Sequence, residues 1–407
     1  MTRLLVVGCG FPQLSLLRRA RALGIEVWGV DQSETAIGVA ECHHFEAIST
    51  SDVDAVRAFV IRAGLKHIAS TGSEVSVRTT AHVAATLGLP FYATPETIRR
   101  CQEKNAMRAG YEAAGLRVPT FTSCTRVDEA RNFLARVGTP VVIKPARGWG
   151  QRGVARVNST SELDVAFEAA LSVSRSAGVP SVVVEEWIQG REFSVNGWIE
   201  DGTLVGYCVT ERITFPGSRP LGVMEAEVFA SGLSVNDEAR VIETARKGAA
   251  ALGHVRGPCY TQVAFDGTHA TLFETAARLG GGFDADVTQL ATGVDLYRRL
   301  IGIALSNPKL EHEGPTDQSH EGAAVKFFTG PTGRLQSVSG LDAARALPGI
   351  TACEVFVPVG GTIHPLTDSA KRLGYALAHG KDRQVALSCA AAAISAVVLK
   401  VHEGTQP

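Results

Sequence analysis

No strong bias marks this sequence, and each missing bias removes a class of function. Lys and Arg number 40 against 41 Asp and Glu, a net charge of -1. The chain therefore has no bulk attraction for nucleic acid or acidic membranes, and any anion must be held by a local site. No apolar run approaches the ~20 residues of a membrane helix. The opening "MTRLLVVGCGF" is interrupted by Gly8 and Gly10 where a signal peptide would continue its apolar core. The eight cysteines are scattered, with no C-x-x-C pair, a usage that fits reduced thiols in a cytoplasmic protein. Apart from the adjacent His43 and His44 the histidines are dispersed, so no zinc site is expected. Repeats and low-complexity tracts are absent as well.

What is present suffices for more than one core. A chain of 407 residues, 45% of them hydrophobic, exceeds what a single core serves and predicts two or three α/β domains. "RLLVV" reads as a buried strand, "QLSLLRRARALG" as a helix and "IEVWGVD" as a second strand ending at Asp31. Further strand and helix patterns, "DVDAVRAFVIRAG", "KHIAS" and "SVRTTAHVAATLGL", extend this to a doubly wound parallel sheet ending near residue 95. Such sheets bind ligands beyond their strand C-termini, in the loops starting at Gly8, Asp31 and Ser70. Gly8, Gly10 and Asp31 make only part of a dinucleotide fingerprint, because "FPQL" lacks its third glycine, and a tight strand-to-helix turn is the plainer reading.

From residue 97 the pattern changes. "PETIRRCQEKNAMRAGYEAAGL" reads as helical. "TPVVIKPARGWGQRGVARV" reads as a strand carrying Lys144, a turn containing Gly148, Gly150 and Gly153, and a second strand. The glycines allow backbone N–H groups to close over phosphates, and Lys144 supplies a point charge; an ordinary hairpin is the competing reading. In "VVVEEWIQGRE" a strand runs out at Glu185, Glu186 and Ile188, where backbone donors and acceptors can mimic base pairing to adenine. Glu192 lies one turn on, suited to ribose hydroxyls. "YTQVAFDGTHATLFETAARLGGG" predicts two antiparallel strands joined at Asp266-Gly267. Gln262 and Glu274 then sit side by side as oxygen ligands of the kind magnesium prefers.

The order of Lys104, Lys144 with its glycine loop, "EEWIQGRE", Gln262, Glu274 and Arg278 resembles the ATP-grasp superfamily of carboxylate–amine ligases over essentially the whole chain. Within it the pattern is most similar to the dipeptide-forming L-amino-acid ligases, where E-x-A-A-R also occurs. The resemblance implies a pre-ATP-grasp domain at 1–97, a central lid subdomain at 98–200, and a C-terminal ATP-grasp domain at 201–407 ending in a biotin-carboxylase-like segment. It implies ATP with Mg2+, or Mn2+ in its place. Lys104 and Lys144 would contact phosphates, Gly148 to Gly153 form the lid, Glu185 to Ile188 the adenine hinge, Glu192 the ribose contact, and Gln262 and Glu274 the metal site. Arg278 would hold the substrate carboxylate or its acyl phosphate, with the backbone of Gly281 and Gly282 close by.

This chain departs from the family pattern in three places. Gln262 stands where most relatives carry Glu, Ala276 where many carry Asn, and "EAEVF" (225–229) lacks the histidine of a substrate loop, which leaves Glu225 as a candidate contact for a substrate ammonium. The expected partners are small carboxylates and amines, with a homodimer implied by analogy only. The pockets that choose them would be built by loops such as 211–232. Two rivals remain: a carboxylase-type member that activates bicarbonate, and a non-catalytic nucleotide-binding module on the same fold.

Overall fold

The computed structural model describes residues 2–216, 221–312, 314 and 319–402; part of the 211–232 loop, residues 217–220, lies outside them. β1 (Arg3–Val7), β2 (Glu26–Asp31), β3 (His44–Ala47) and β4 (Ile68–Ala69) pair in parallel in the order β3-β2-β1-β4. Leu4, Leu5, Val6 and Val7 are all fully buried, each worth ~1.5–3 kcal/mol of transfer free energy. Helices α1 (Phe11–Ala22), α2 (Val53–Arg62) and α3 (Glu74–Leu87) follow β1, β3 and β4, so this is the doubly wound unit expected. Asp52 caps α2 through the Ala55 N–H, and Gly88 ends α3 in the left-handed region. Both carboxylate oxygens of Asp31 are engaged by backbone N–H groups. One carboxylate oxygen accepts from the Cys9 N–H at 2.9 Å and the other from the Ser33 N–H at 3.0 Å, so the partial fingerprint is a braced turn.

The expected single helix after residue 97 is two, α4 (Pro95–Arg100) and α5 (Lys104–Ala113). The break is tertiary in origin: the Lys104 N–H donates to the Ala146 carbonyl at 2.9 Å and Arg147 pairs with Glu103. A small antiparallel sheet follows, built from β5 (Phe121–Cys124), β6 (Val141–Pro145), β7 (Ala155–Val157) and β8 (Val182–Glu186) in the order β5-β8-β6-β7. Helices α6 (Val127–Val137) and α7 (Leu163–Ser176) pack on it around a core of its own.

The large sheet contains β9 (Arg191–Glu200), β10 (Thr203–Thr214), β11 (Met224–Phe229), β12 (Gly257–Phe265), β13 (Ala270–Ala276), β14 (Gly322–Phe328), β16 (Ile350–Val355) and β18 (Gly374–Gly380). Strands β9 and β10 are an antiparallel hairpin, so a division at residue 200 separates two paired strands. α8 (Val235–Ala251), α9 (Asp284–Thr292), α10 (Leu296–Ala304), α11 (Pro308–Glu311), α12 (Leu341–Arg345) and α13 (Arg383–Ala396) surround the sheet. β15 (Gly333–Ser339), β17 (Thr362–Ile363) and β19 (Val398–His402) make a third, three-stranded sheet. One continuous apolar core runs from β1 and α1 to Trp198, Val263 and Leu300, which locks the first sheet onto the large one. Among the described residues no helix is long and apolar enough to cross a membrane.

Candidate active site

The small and large sheets face each other across a cavity of about 120 Å³, and a second cavity of about 230 Å³ opens beside it toward the first sheet. Gln262, Glu274, Arg278 and Glu74 border both. The β12–β13 pairing sets Gln262 directly opposite Glu274, as the alternation of the two strands predicts. Lys104, Lys144, Gly148, Gly150, Glu185, Glu186, Ile188 and Glu192 line the first cavity, together with the apolar surfaces of Met107, Val142 and Trp187. Gly153 is not in that lining; it sits at φ +69° at the base of the hairpin, against Pro145 and Ala170.

Charges in the first cavity fall into two kinds. Lys144 Nζ donates to Glu185 at 2.7 Å, and Arg108 grips the same carboxylate at 2.6 Å; Arg108 and Glu185 are 0% and 1% exposed. Burial alone would raise the Glu185 carboxyl, but Arg108 and Lys144 hold it down at about 2. The side chain of Glu185 is thus an anchor that aims Lys144, and any adenine contact from this stretch is left to the backbone. Lys104 and Glu274 behave differently. Neither side chain has a hydrogen bond or an ion pair within 4 Å among the described residues. Burial lowers the Lys104 ammonium, with Glu274 opposing that shift, while Lys104 and then Arg278 overcome burial to keep the Glu274 carboxyl below its usual range. Half-buried charges left open in this way are candidates for binding a counter-charge.

The donor set fits a hard divalent cation. Gln262 spends its Nε2 on the Tyr260 hydroxyl at 2.6 Å, which leaves its amide oxygen as the free acceptor beside the open Glu274 carboxylate. Among the described residues no three His, Cys, Asp or Glu side chains form a metal cage. An ion here would take most of its ligands from phosphate and water, as magnesium does.

Arg278 is half-committed. Its Nε and one terminal nitrogen meet Glu74 at 2.7 and 2.5 Å, the other terminal nitrogen donates to the Leu279 carbonyl, and the group lies 5.6 Å from the Tyr260 ring centre. An incoming carboxylate must share this guanidinium with Glu74. The sequence gives no sign of that partner, 204 residues away at the start of α3. Gly281 and Gly282 line the second cavity. A Cβ on Gly281 would come within 2.4 Å of the Gly72 carbonyl oxygen, so only glycine lets this loop touch the first sheet's loop.

Glu225 is not brought to either cavity. Its neighbour Met224 lines the second one, whereas Glu225 pairs with Lys326 at 2.5 Å. Glu192 lies at the edge of the first cavity, 3.6 Å from Arg212. The hairpin tip is latched to a distant turn: the Ser369 N–H donates to the Gly150 carbonyl at 2.8 Å, and Arg152 lies 3.7 Å from Asp368.

Residues 103–312 match the family model of the carbamoyl-phosphate synthase L chain ATP-binding domain, and residues 326–402 match the L-amino acid ligase C-terminal domain 2. An uncharacterized protein of Sinorhizobium fredii, y4rH, is 29% identical over 72% of this chain and 59% of its own length. The alanine–anticapsin ligase of Bacillus subtilis is 24% identical over 58% of this chain and 53% of its own length. The matched stretch thus spans little more than half of these curated relatives. The crystal structure of an L-amino acid ligase from Bacillus licheniformis superimposes with a TM-score of 0.80 over 99% of both chains at 17% identity, which establishes a shared fold. Since the ATP-binding model alone spans more than half of the sequence and the open acid and lysine fall inside it, the chain belongs to the ATP-grasp family of carboxylate–amine ligases.

Proposed function

We propose that this chain is an ATP-dependent, ADP-forming ligase that joins a carboxylate to an amine through an acyl phosphate, acting on amino-acid-like substrates. The observation that carries the reading is the pair of open charges, Lys104 and Glu274, in a cavity bordered by a glycine hairpin and a strand end. Adenine stacks among Met107, Val142 and Trp187 and meets the backbone from Glu186 to Ile188, with Glu192 toward the ribose. Lys104 and Lys144 contact phosphate oxygens, and Gly148 to Gly153 cover them.

Gln262 and Glu274 would hold magnesium, which supplies charge neutralisation at the phosphates. A carboxylate oxygen of the donor substrate attacks the γ-phosphorus as the bond to ADP breaks. Arg278 and the Gly281–Gly282 backbone hold the donor carboxyl, and the lysines offset charge on the group in flight. The amine nitrogen then attacks the acyl carbon, the carbon–oxygen bond to phosphate breaks, and the amine proton leaves with phosphate or to solvent. The products are amide, ADP and phosphate. The division of the chain into a first domain, a lid around the small sheet and a catalytic domain around the large sheet belongs to the same reading.

The test is an ADP-release screen over pairs of amino acids, with mass spectrometry of the products. One ADP per amide formed is the expected result. ADP release driven by bicarbonate alone would replace this reading by a carboxylase-type one, and no turnover with any acceptor would leave a nucleotide-binding module.

A further inference from the structure

The second cavity contains a cation that the chemistry above does not use. Arg372 is 4% exposed and follows a short turn at Ser369–Lys371. Its guanidinium lies 3.6 Å from the ring centre of Phe327 and 5.6 Å from that of Phe11. Its Nε donates to the Ser369 carbonyl at 2.9 Å. Among the described residues no carboxylate comes within 4 Å, and neither terminal nitrogen has a hydrogen bond to protein. Neither is among the sealed, unpartnered side-chain nitrogens of the described residues, and Arg372 lines the second cavity. Burial brings its pKa down to about 10, with Arg212 adding to that shift and Asp284 opposing it. It stays protonated at neutral pH, and an arginine buried without an acid is costly unless something else supplies the negative charge.

The remaining charges in the cavity define that partner. The lining carries Arg152, Arg212, Arg278 and Arg372 against Glu74, Glu274 and Asp284, a surplus of one positive charge. A phosphate dianion would meet three acids and exceed that surplus, whereas a single carboxylate matches it. A zwitterion, with one carboxylate and one amine, fits the interleaved signs. The two terminal nitrogens of one guanidinium form a flat fork that suits a carboxylate, and rings at 3.6 and 5.6 Å restrict its rotation.

We propose that Arg372 binds the carboxylate of the amine-donating substrate, so that the acceptor is an amino acid whose own carboxylate is held away from the phosphates while its nitrogen faces the Arg278 end of the cavity. This rests on the ligase reading, and it divides the two carboxylates of the reaction between two arginines. Arg278 sits at the border of both cavities, where phosphoryl transfer reaches it. Arg372 is confined to the second cavity, so a carboxylate held there is not activated.

The experiment is equilibrium binding by calorimetry to the full chain with magnesium and a non-hydrolysable ATP analogue. The probes are single L-amino acids, their carboxamides, and O-phosphoethanolamine as an amine bearing phosphate. In the unaltered protein at least one amino acid should bind about 10- to 100-fold more tightly than its amide, the range set by a buried hydrogen-bonded charge. Arg372→Gln should erase that preference while leaving affinity for the nucleotide analogue unchanged. Arg372→Lys, which keeps the charge and loses the fork, should restore part of it and carries the test if the glutamine variant does not melt cooperatively. The proposal is overturned if Arg372→Gln still prefers the acid to the amide, if no amino acid binds the unaltered protein, or if only the phosphate-bearing amine loses affinity. These readouts need no turnover. Failure of the ligase reading, seen as absent ADP release beside intact acid-over-amide binding, is therefore distinct from failure of this one.

Discussion

The two cavities use similar side chains but are assembled differently. The first cavity, proposed for the nucleotide, draws mostly on the stretches 101–154, 185–192 and 262–278, with Glu74, Leu221 and Gly222 added. The second cavity gathers residues around Pro12, Glu74, Arg212, Asp284 and Arg372 from across the molecule. In the first, a strand's alternation or a turn's glycines place each group, and the anchoring charges are neutralised within a few ångströms. In the second, placement comes from docking of the first sheet, the large sheet and the Ser369 turn. On the proposed reading, local structure builds the part for the common cosubstrate, and tertiary assembly builds the part that chooses its partner.

The largest expected effect tests the first half of that contrast. Glu274→Ala and Lys144→Ala should each cut ADP release by ~10²–10³-fold or more while cooperative melting persists. Near-normal turnover in either variant would dissolve the nucleotide site. Chelation of divalent ions should stop turnover and added manganese should restore it, because the proposed ligands are all oxygen.

A second effect concerns stability. Arg108→Met leaves Glu185 buried with one cation instead of two, a change of the kind that costs ~3–5 kcal/mol. Denaturant unfolding of the variant should show it, and an unchanged midpoint would mean that Lys144 compensates alone.

Arg278→Lys, at the border, should lower ligation by ~10²-fold with little change in nucleotide affinity. Equal losses of both would place Arg278 in the nucleotide site. Because Glu74 holds half of this guanidinium, a melting temperature measured on the same preparation separates a structural loss from a chemical one.

The smallest effect lies behind the second cavity. Burial raises the Asp286 carboxyl to about 6 despite hydrogen bonds from Tyr297 and Ser15. A folded-state value above the unfolded one means that stability from this group is present at low pH and is lost as pH rises from about 4 to about 6. Asp286→Asn should remove that fall, seen as a smaller decline of melting temperature than in the parent between those pH values.

Legibility in the sequence followed the same division. Gln262 opposite Glu274, Lys144 before its glycines, and the parallel first sheet were readable because periods of two and 3.6 residues and turn chemistry are local. The break between α4 and α5 was not, because it depends on the Ala146 carbonyl 42 residues on from Lys104. Glu225 was expected at the substrate, but strand alternation gives the cavity to Met224 and turns its neighbour toward Lys326. Glu74 and Arg372 carry no motif at all. Only the folded arrangement reveals that one occupies Arg278 and that the other lacks an acid.

The latch between Gly150 and Ser369 has a consequence for cooperativity. The glycine hairpin and the turn leading to Arg372 share one hydrogen bond, which ties their positions together. If an occupant that settles the hairpin also settles the turn, then by reciprocity whatever fixes the turn raises the affinity for the nucleotide by the same factor. Ligands of the two cavities would then strengthen each other's binding, and loss of one would weaken the hold on the other.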